Sequence, residues 1–455
     1  MSSERQPFAI LQVSMQDLGG GAEGSAWNLF QVYRNRGHGS WLAVGHKRST
    51  DPDVLEIPRL PQSGLWARVC WGLHRAATPL EGHMRGAGRL RHWLSTLAGI
   101  WSVIEQKMGR EDFNFPGSRR LLHLPPRRPD IVHTHSLHGG YFDLRVLTEL
   151  SRQVPVIVNL RDAWLLTGHC AHSFGCERWK TGCGRCPDLT IYPRARHDST
   201  AYNWERKRRI YARSHLYVTA PSRWLLDMVR QSILRGFESK LIPNGIDLSI
   251  FCPGDRALAR AKLQLPISQK IVLFAANRGR HNVFKDYATM KVAVRLAASN
   301  NPGIDLLFLC LGEKGEEQSL DQTRILFVGF ERSPKQLALY YQAADVYIHA
   351  AKAEAFGKTI TEALACGIPV VATAVGGIPE QIRDGDNGFL TPAGDPEAMA
   401  ARIGQLLCGQ KTRHLMGERA AEDARLRFGL DRQADAFLAW YQEVRQRFEA
   451  QRRDS

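Results

Sequence analysis

Two doubly wound α/β domains in tandem are predicted from three observations. Short apolar runs rich in β-branched residues alternate with amphipathic helical patterns along both halves of the chain, as in parallel sheets covered on both faces. The alternation stops in a turn-rich stretch, Pro243-Asn244-Gly245-Ile246-Asp247 and then Phe251-Cys252-Pro253-Gly254, before starting afresh. The chain has 455 residues, enough for two or three domains of about 100–200 residues each.

Composition narrows the class. With 44% hydrophobic and 23% charged residues, the chain is neither globally disordered nor fibrous. Lys plus Arg is 61 against 45 for Asp plus Glu, a formal charge of +16, which favours anionic partners without choosing among them. No stretch approaches 18 uninterrupted apolar residues, and the opening MSSERQPFAILQVS reads as a polar leader entering a strand. The expectation is a cytoplasmic protein, with attachment to the inner face of a membrane as a further expectation.

In order, the first half offers a strand at Phe8 to Ser14, a glycine turn at Leu18 to Gly24, and an amphipathic helix from Ser25 to Asn35. Strands follow at Trp41 to Val44, Ile131 to His133 and Val156 to Leu160. Residues 65–115 break this rhythm: Trp66, Trp71, Trp93 and Trp101 are interleaved with Arg68, Arg75, Arg85, Arg89, Arg91 and Lys107. Such helical hairpins suit an anionic membrane surface, or pack their Trp on the domain and leave the Arg in water.

The second half offers strands at Ile271 to Ala276, Leu306 to Leu309, Ile325 to Val328, Val346 to Ile348 and Val370 to Thr373. After Leu430, the residues Phe437, Leu438, Trp440 and Tyr441 fall on a helical spacing, followed by a basic tail from Arg445 to Arg453 that is expected to fray. The expected domains are 1–247, 248–430, and a C-terminal helix with its tail over 431–455 that packs back on the first domain.

In open α/β sheets, ligands bind beyond the carboxyl ends of the strands. After the strand that ends at His349 comes AKAEAFGKTITEALACG, with Glu354 just before a helix that starts near Gly357 to Thr359 and Glu362 about one turn inside it. Helix amides can hold a phosphate, and carboxylates accept hydrogen bonds from the paired hydroxyls of a sugar or ribose. Read more plainly, these are a surface Glu and a dipole-matching Glu. In the first half, the Gly-rich turn carrying Gly20 and Gly21 admits close approach of a phosphate, or simply a positive φ. His133, His135 and His138 cluster at the end of a strand, suiting contact with an acceptor or a structural role. Arg161-Asp162 end the next strand.

The run EAFGKTITEALACGIPVVAT resembles the donor-binding motif of retaining glycosyltransferases of family 4, enzymes of the GT-B fold with two Rossmann-like domains. GGIPEQIRDGDNGFL, PNGID and the Ala220-Pro221-Ser222-Arg223-Trp224 run resemble further segments of that family, so the likeness extends from residue 19 to beyond 390. The resemblance implies that Glu362 holds the ribose hydroxyls and Glu354 lies by the sugar, with amides of Phe356, Gly357, Lys358 and Thr359 on the sugar and phosphate. It implies that Arg280 and Lys285, or Arg278 in place of Arg280, embrace the diphosphate, and that Gly20 and Gly21 face the donor.

Where many members have His-Asp, this chain has Arg161 and Asp162. That suggests a cation near the leaving phosphate or an anionic acceptor, while Asp162 orients the acceptor hydroxyl or pairs with Arg161. The implied catalytic set is Glu354, Arg280, Lys285, Asp162 and Arg161. The implied reaction takes a sugar from a UDP-, GDP- or ADP-sugar to a glycan or lipid-linked acceptor in polysaccharide biosynthesis. It proceeds with retention, without a carboxylate nucleophile and without a metal cofactor for the chemistry.

Of nine cysteines, Cys70, Cys252, Cys310, Cys366 and Cys408 stand singly and read as small buried hydrophobes. Cys170, Cys176, Cys183 and Cys186 sit together as C-x5-C-x6-C-x2-C, beside His169 and His172. This spacing admits a structural zinc site, disulfides or free thiols. The loop over 169–187 ends in TGCGRCP, a run similar to one in a subset of family 4 enzymes that build surface polysaccharides.

Other readings are an epimerase or a synthase-like enzyme of the same fold, a catalytically dead scaffold, or a basic zinc-containing nucleic-acid binder. Against the last, no nucleic-acid motif is present and the basic residues are dispersed, so no nucleic-acid partner is expected.

Overall fold

The computed structural model describes residues 7–60, 65–78, 90, 93–94, 97 and 99–453. The chain forms two compact units. One comprises Met1–Ala220, Leu226–Lys240 and Leu438–Ser455, and the other Pro221–Leu225 and Leu241–Phe437. The PNGID turn is fastened to the second unit, because Ile246 N–H donates to the Phe428 carbonyl and Leu430 N–H donates to that of Ile246, both at 2.9 Å.

Among the described residues, the first unit holds seven strands: β1 (Ala9–Gln16), β2 (Gly39–His46), β3 (Val54–Glu56), β4 (Ile131–Thr134), β5 (Val156–Asn159), β6 (Leu216–Ala220) and β7 (Glu238–Leu241). Their order across the sheet is β3-β2-β1-β4-β5-β6-β7. The first helix covers Gly21–Asn35, so it starts four residues ahead of Ser25, with Gly21 to Gly24 as its first turn and Gly20 as its N-cap. Ala26 and Phe30 on its inner face pack on Leu42, Val44 and Val54, one apolar stripe against one face of the sheet.

The second unit holds β8 (Lys270–Ala275), β9 (Leu306–Leu311), β10 (Gln318–Leu320), β11 (Thr323–Val328), β12 (Val346–His349), β13 (Val370–Thr373) and β14 (Gly388–Thr391). The order is β10-β11-β9-β8-β12-β13-β14, with β10 antiparallel to β11. Side chains of successive strand residues point to opposite faces, and here they sort into two cores. Ile271, Leu273, Ala275, Leu307 and Leu309 join one, with Ile360, Ala363 and Leu364 of the helix Lys358–Ala365. Val272, Phe274, Leu306 and Phe308 join the other, with Met290 and Val294 of Tyr287–Ser299 and Met399 and Ile403 of Pro396–Cys408. Continuous apolar strands are thus buried on both faces, as parallel sheets require.

The strands β3, β6, β7, β10 and β14 lie outside the apolar runs singled out as strands in the sequence. The basic tail departs from expectation, since helix Leu430–Arg453 continues through it. Arg447 pairs with Glu238, Lys240 meets Glu443 at 2.9 Å, and the Arg445 guanidinium lies 4.7 Å from the centre of the Phe8 ring. These pairs occupy the tail's charge and order it. Two of the single cysteines also depart: Cys408 is exposed and Cys252 half-buried. In the Trp-rich segment, Leu65–Ala76 and Ile100–Lys107 are helical, while Arg85, Arg89 and Arg91 lie outside the described residues. Among the described residues, no helix is long and apolar enough to cross a membrane.

Asp345 enters the second sheet just ahead of β12 and is 2% exposed. It accepts hydrogen bonds from Ile271 N–H at 2.9 Å and from the Arg260 guanidinium at 2.8 Å, and it pairs with Arg256 and, at 3.6 Å, with Arg413. Removing one partner of a buried pair leaves the other charge uncompensated and costs about 3–5 kcal/mol. Asp345→Ala is therefore expected to lower the unfolding free energy by about that amount in urea titration.

Candidate active site

In the second unit, the backbone draws a cation, a carboxylate and an imidazole together at the carboxyl end of β12. Residues 282–286 run against 350–353: Asp286 N–H donates to the Ala350 carbonyl at 3.0 Å and Lys352 N–H donates to Phe284 at 2.9 Å. This places the Lys285 ammonium on Glu354 Oε2 and 2.9 Å from His349 Nε2. An ammonium only donates, so Nε2 accepts and Nδ1 carries the proton; Nδ1 lies 3.2 Å from the Tyr347 hydroxyl.

Burial alone would raise the Glu354 pKa, but Lys285 and His349 outweigh it and hold the carboxyl well below its usual range. His349 is fully buried, and burial, with Lys285 adding to it, pushes its pKa down to about 4. The group at neutral pH is therefore an ammonium, a carboxylate and a neutral imidazole.

Glycines shape the turn that follows. Gly357, with φ +87°, precedes helix Lys358–Ala365 in the left-handed region that favours glycine. Gly376, with φ +55°, lies so close to the Glu354 carbonyl that an added Cβ would come within 1.9 Å of it. Gly377 N–H donates to that carbonyl at 3.0 Å, Ser222 Oγ donates to Ala355 at 2.7 Å, and Gln381 binds the Phe356 carbonyl. The Glu354-Ala355-Phe356 backbone is thus clamped from three directions.

Glu362 lies within the same helix and is 4% exposed. Tyr341 donates to its Oε2 at 3.0 Å, and the Lys358 ammonium lies 3.6 Å from Oε1. Burial raises its pKa against the pull of Lys358. A carboxylate has about four acceptor positions, so this one has capacity for hydroxyl donors.

Arg280 has partners of its own. It binds Glu313 at 2.9 Å and the Lys314 carbonyl at 3.0 Å, and it stacks 4.2 Å from the centre of the Phe327 ring. The extra residues between β8 and Arg280 carry it toward the end of β9, where a carboxylate takes it. Arg278 is exposed, at φ +52°.

The first unit holds a second group. None of Gly19, Gly20 and Gly21 has a positive φ among the described residues, so the turn's conformation is not what requires glycine. A Cβ on Gly20 would sit 3.2 Å from Glu23, while one on Gly21 would meet nothing within 4 Å. His133 and His135 are both 0% exposed and their rings stack at 4.4 Å, so the expected acceptor role does not fit them. His133 Nδ1 lies 2.6 Å from the Tyr441 hydroxyl in the core. Burial, with Arg161 adding its charge, lowers both histidines' pKa well below the usual value.

Arg161 lies 3.0 Å from His135 Nδ1, and burial brings its pKa down to about 10 despite the attraction of Glu23. Asp162 pairs with His138 at 2.8 Å and not with Arg161. Burial opposes both charges of that pair, yet their mutual attraction prevails: the His138 pKa is raised and that of Asp162 lowered.

His349, Tyr341, Tyr347 and Glu23 join these groups although the sequence does not single them out as site residues. His349 is legible as the last residue of a predicted strand, and Glu23 as the first carboxylate after the glycines. The tyrosines carry no local signal. The four clustered cysteines line one small cavity. Among the described residues, no three His, Cys, Asp or Glu side chains are drawn together tightly enough to hold a metal ion.

Comparisons with known proteins bear on this arrangement. The family model described as "Glycosyltransferase Family 4" matches residues 19–250, and that described as "Glycosyl transferases group 1" matches 255–423. A D-inositol 3-phosphate glycosyltransferase of Segniliparus rotundus is 33% identical over 210 residues, 44% of this chain and 46% of that protein. The chain spans about half the length of the curated relatives it matches. A glycosyltransferase of Rickettsia africae superposes with a TM-score of 0.60 at 16% identity, over 97% of this chain and 99% of that one. Anabaena HepE, solved with UDP and glucose, gives 0.58 at 16% identity, over 95% and 98%. These two likenesses show the fold.

The His349 ring is expected to stay neutral down to about pH 4 in an NMR titration of its imidazole carbons. Its folded pKa lies below the ordinary 6.5, so the unfolded chain binds more protons in that window and this site loses stability as pH falls from about 6.5 to 4. Lys285→Met is expected to raise the midpoint. A wild-type midpoint near 6.5 would contradict this electrostatic picture.

Proposed function

The chain belongs to glycosyltransferase family 4 and has the GT-B fold, and on that premise we propose that it transfers a hexose from a nucleoside-diphosphate sugar to a glycan or lipid-linked acceptor with retention of anomeric configuration. The observation that carries this reading is Glu362: a buried carboxylate one turn inside a helix, bound by Tyr341, paired with Lys358 and able to accept from a ribose hydroxyl pair. Lys285 supplies a cation for the diphosphate and Glu354 an acceptor for the sugar hydroxyls, with the amides at the start of helix Lys358–Ala365 beside them. Arg280, bound to Glu313, is left out of this assignment.

In the proposed step, the bond from the anomeric carbon to the phosphate oxygen breaks and the acceptor oxygen bonds to that carbon on the same face. The acceptor proton passes to the departing phosphate. Catalysis is then positioning and charge stabilisation. In the first unit, Asp162 fixes the His138 ring.

A membrane-held acceptor in polysaccharide assembly is supported by exposed apolar side chains. Trp66, Val69 and Leu73 line one face of helix Leu65–Ala76 and are 45–53% exposed, with Trp93, Ile100 and Val103 also exposed. Apolar faces of this kind, flanked by Arg75 and Lys107, bury into the boundary of an anionic bilayer.

Glu362→Gln keeps the shape and removes the charge. It is expected to lower kcat/KM for the preferred nucleotide sugar by about 10²- to 10⁴-fold, since two hydrogen bonds to a charged group are worth about 1.5–3 kcal/mol each. Unchanged turnover would remove the assignment. NMR of the product's anomeric proton tests retention. In flotation with vesicles rich in anionic phospholipid, Leu73→Asp is expected to release most of the bound protein, and equal binding of wild type and variant would remove the membrane reading.

A further inference from the structure

Residues 160–199 connect β5 to the helix Thr200–Tyr211 with two short 3₁₀ turns, Trp164–Leu166 and Arg178–Lys180, as their only helical or strand elements. A connection of this length without strands or long helices is uncommon in a compact domain. Yet it is folded, with Leu165, Leu166, Ala171 and Trp179 all buried. Near its centre, Cys170, Cys176, Cys183, Cys186 and His169 line one cavity of about 20 Å³. Such a volume takes a single guest the size of a water molecule or an ion.

Two of the sulfurs already have polar neighbours. Gly168 N–H donates to Cys183 Sγ at 3.2 Å. His169 Nδ1 lies 3.0 Å from the Pro193 carbonyl, which only accepts, so Nδ1 carries the proton and Nε2 faces Cys186 Sγ at 3.3 Å. Gly184 and Arg185, between the last two cysteines, have φ +133° and +49°, which bends the C-x2-C segment sharply. The buried Lys207 ammonium, 2.9 Å from the Trp164 carbonyl and 3.0 Å from that of Thr167, anchors the start of the loop and acts electrostatically on Cys170 and Cys183.

We propose that Cys170, Cys176, Cys183 and Cys186 bind one structural Zn²⁺ as four thiolates, closing the loop over 168–187. Tetrahedral ligation at about 2.3 Å from zinc to sulfur requires the sulfurs to draw in toward the cavity centre, because among the described residues no three such side chains yet meet that tightly. Binding releases the thiol protons to solvent, and no oxidant is involved. Four thiolates leave no open coordination position, so the metal staples the loop and takes no part in catalysis.

The test is metal analysis of the full chain purified without chelator, together with Co²⁺ exchange. The expected results are about one zinc per chain and a cobalt form with intense thiolate-to-metal charge-transfer bands. Zinc should persist in Cys408→Ser and in Glu362→Gln, which separates this proposal from the assignment of the sugar site, and should be lost in Cys176→Ser/Cys183→Ser. If that double variant fails to fold, the wild-type cobalt spectrum decides. Zinc below about a tenth per chain, a cobalt spectrum without thiolate bands, or an intact mass about 4 Da low from two disulfides would each overturn the proposal.

Discussion

A carboxylate taken out of water is costly unless a cation meets it, and the contact between Lys285 and Glu354 is the constraint on which the second unit's site depends. Several features of the sequence serve that contact. Two backbone hydrogen bonds fix the Lys285 segment against residues 350–353, while Gly376 and Gly377 allow a second strand-to-helix turn to press on Glu354. His349 is neutral because it is buried and the same ammonium faces it across 2.9 Å. On the proposed reading, an incoming diphosphate would compete for Lys285 and free Glu354 to accept from sugar hydroxyls.

The two carboxylates differ in state although they lie one helix entrance apart. Glu354 is held ionised by a direct ion pair, whereas Glu362, deeper in the helix, meets its nearest ammonium at 3.6 Å and has a raised pKa. A carboxylate with weak compensation gains most from new donors, which is why Glu362 is assigned to the ribose. Tyr341 keeps one of its oxygens oriented, while the other is the one nearer Lys358.

Much of the fold is legible in the sequence because buried parallel strands are near-continuous apolar runs: β8, β9 and β13 can be read from Ile271, Leu306 and Val370 onward. Short or edge strands such as β3 and β10 bury little and carry no such run. At the site, Glu354 and Glu362 are legible from local spacing, whereas Lys285 is reached through the family resemblance. The contact of Arg280 with Glu313 is not legible, because the two are 33 positions apart. His133 and His135 look like acceptor ligands in sequence, but their burial depends on the C-terminal helix, whose Tyr441 comes from 308 residues downstream of His133. The pairing of Asp162 with His138 in preference to the adjacent Arg161 is likewise a tertiary outcome, settled by where β4 and β5 end.

The most direct measurement of the central claim is calorimetric titration of UDP, GDP and ADP into the wild-type chain, Lys285→Met and Glu362→Gln. One nucleotide is predicted to bind the wild type at one per chain, with each substitution weakening it by about tenfold or more, since a tenfold change corresponds to about 1.4 kcal/mol and a hydrogen bond to a charged group is worth at least about that much. Equal affinity in all three proteins, or no binding of any of the nucleotides by the wild type, would contradict the account.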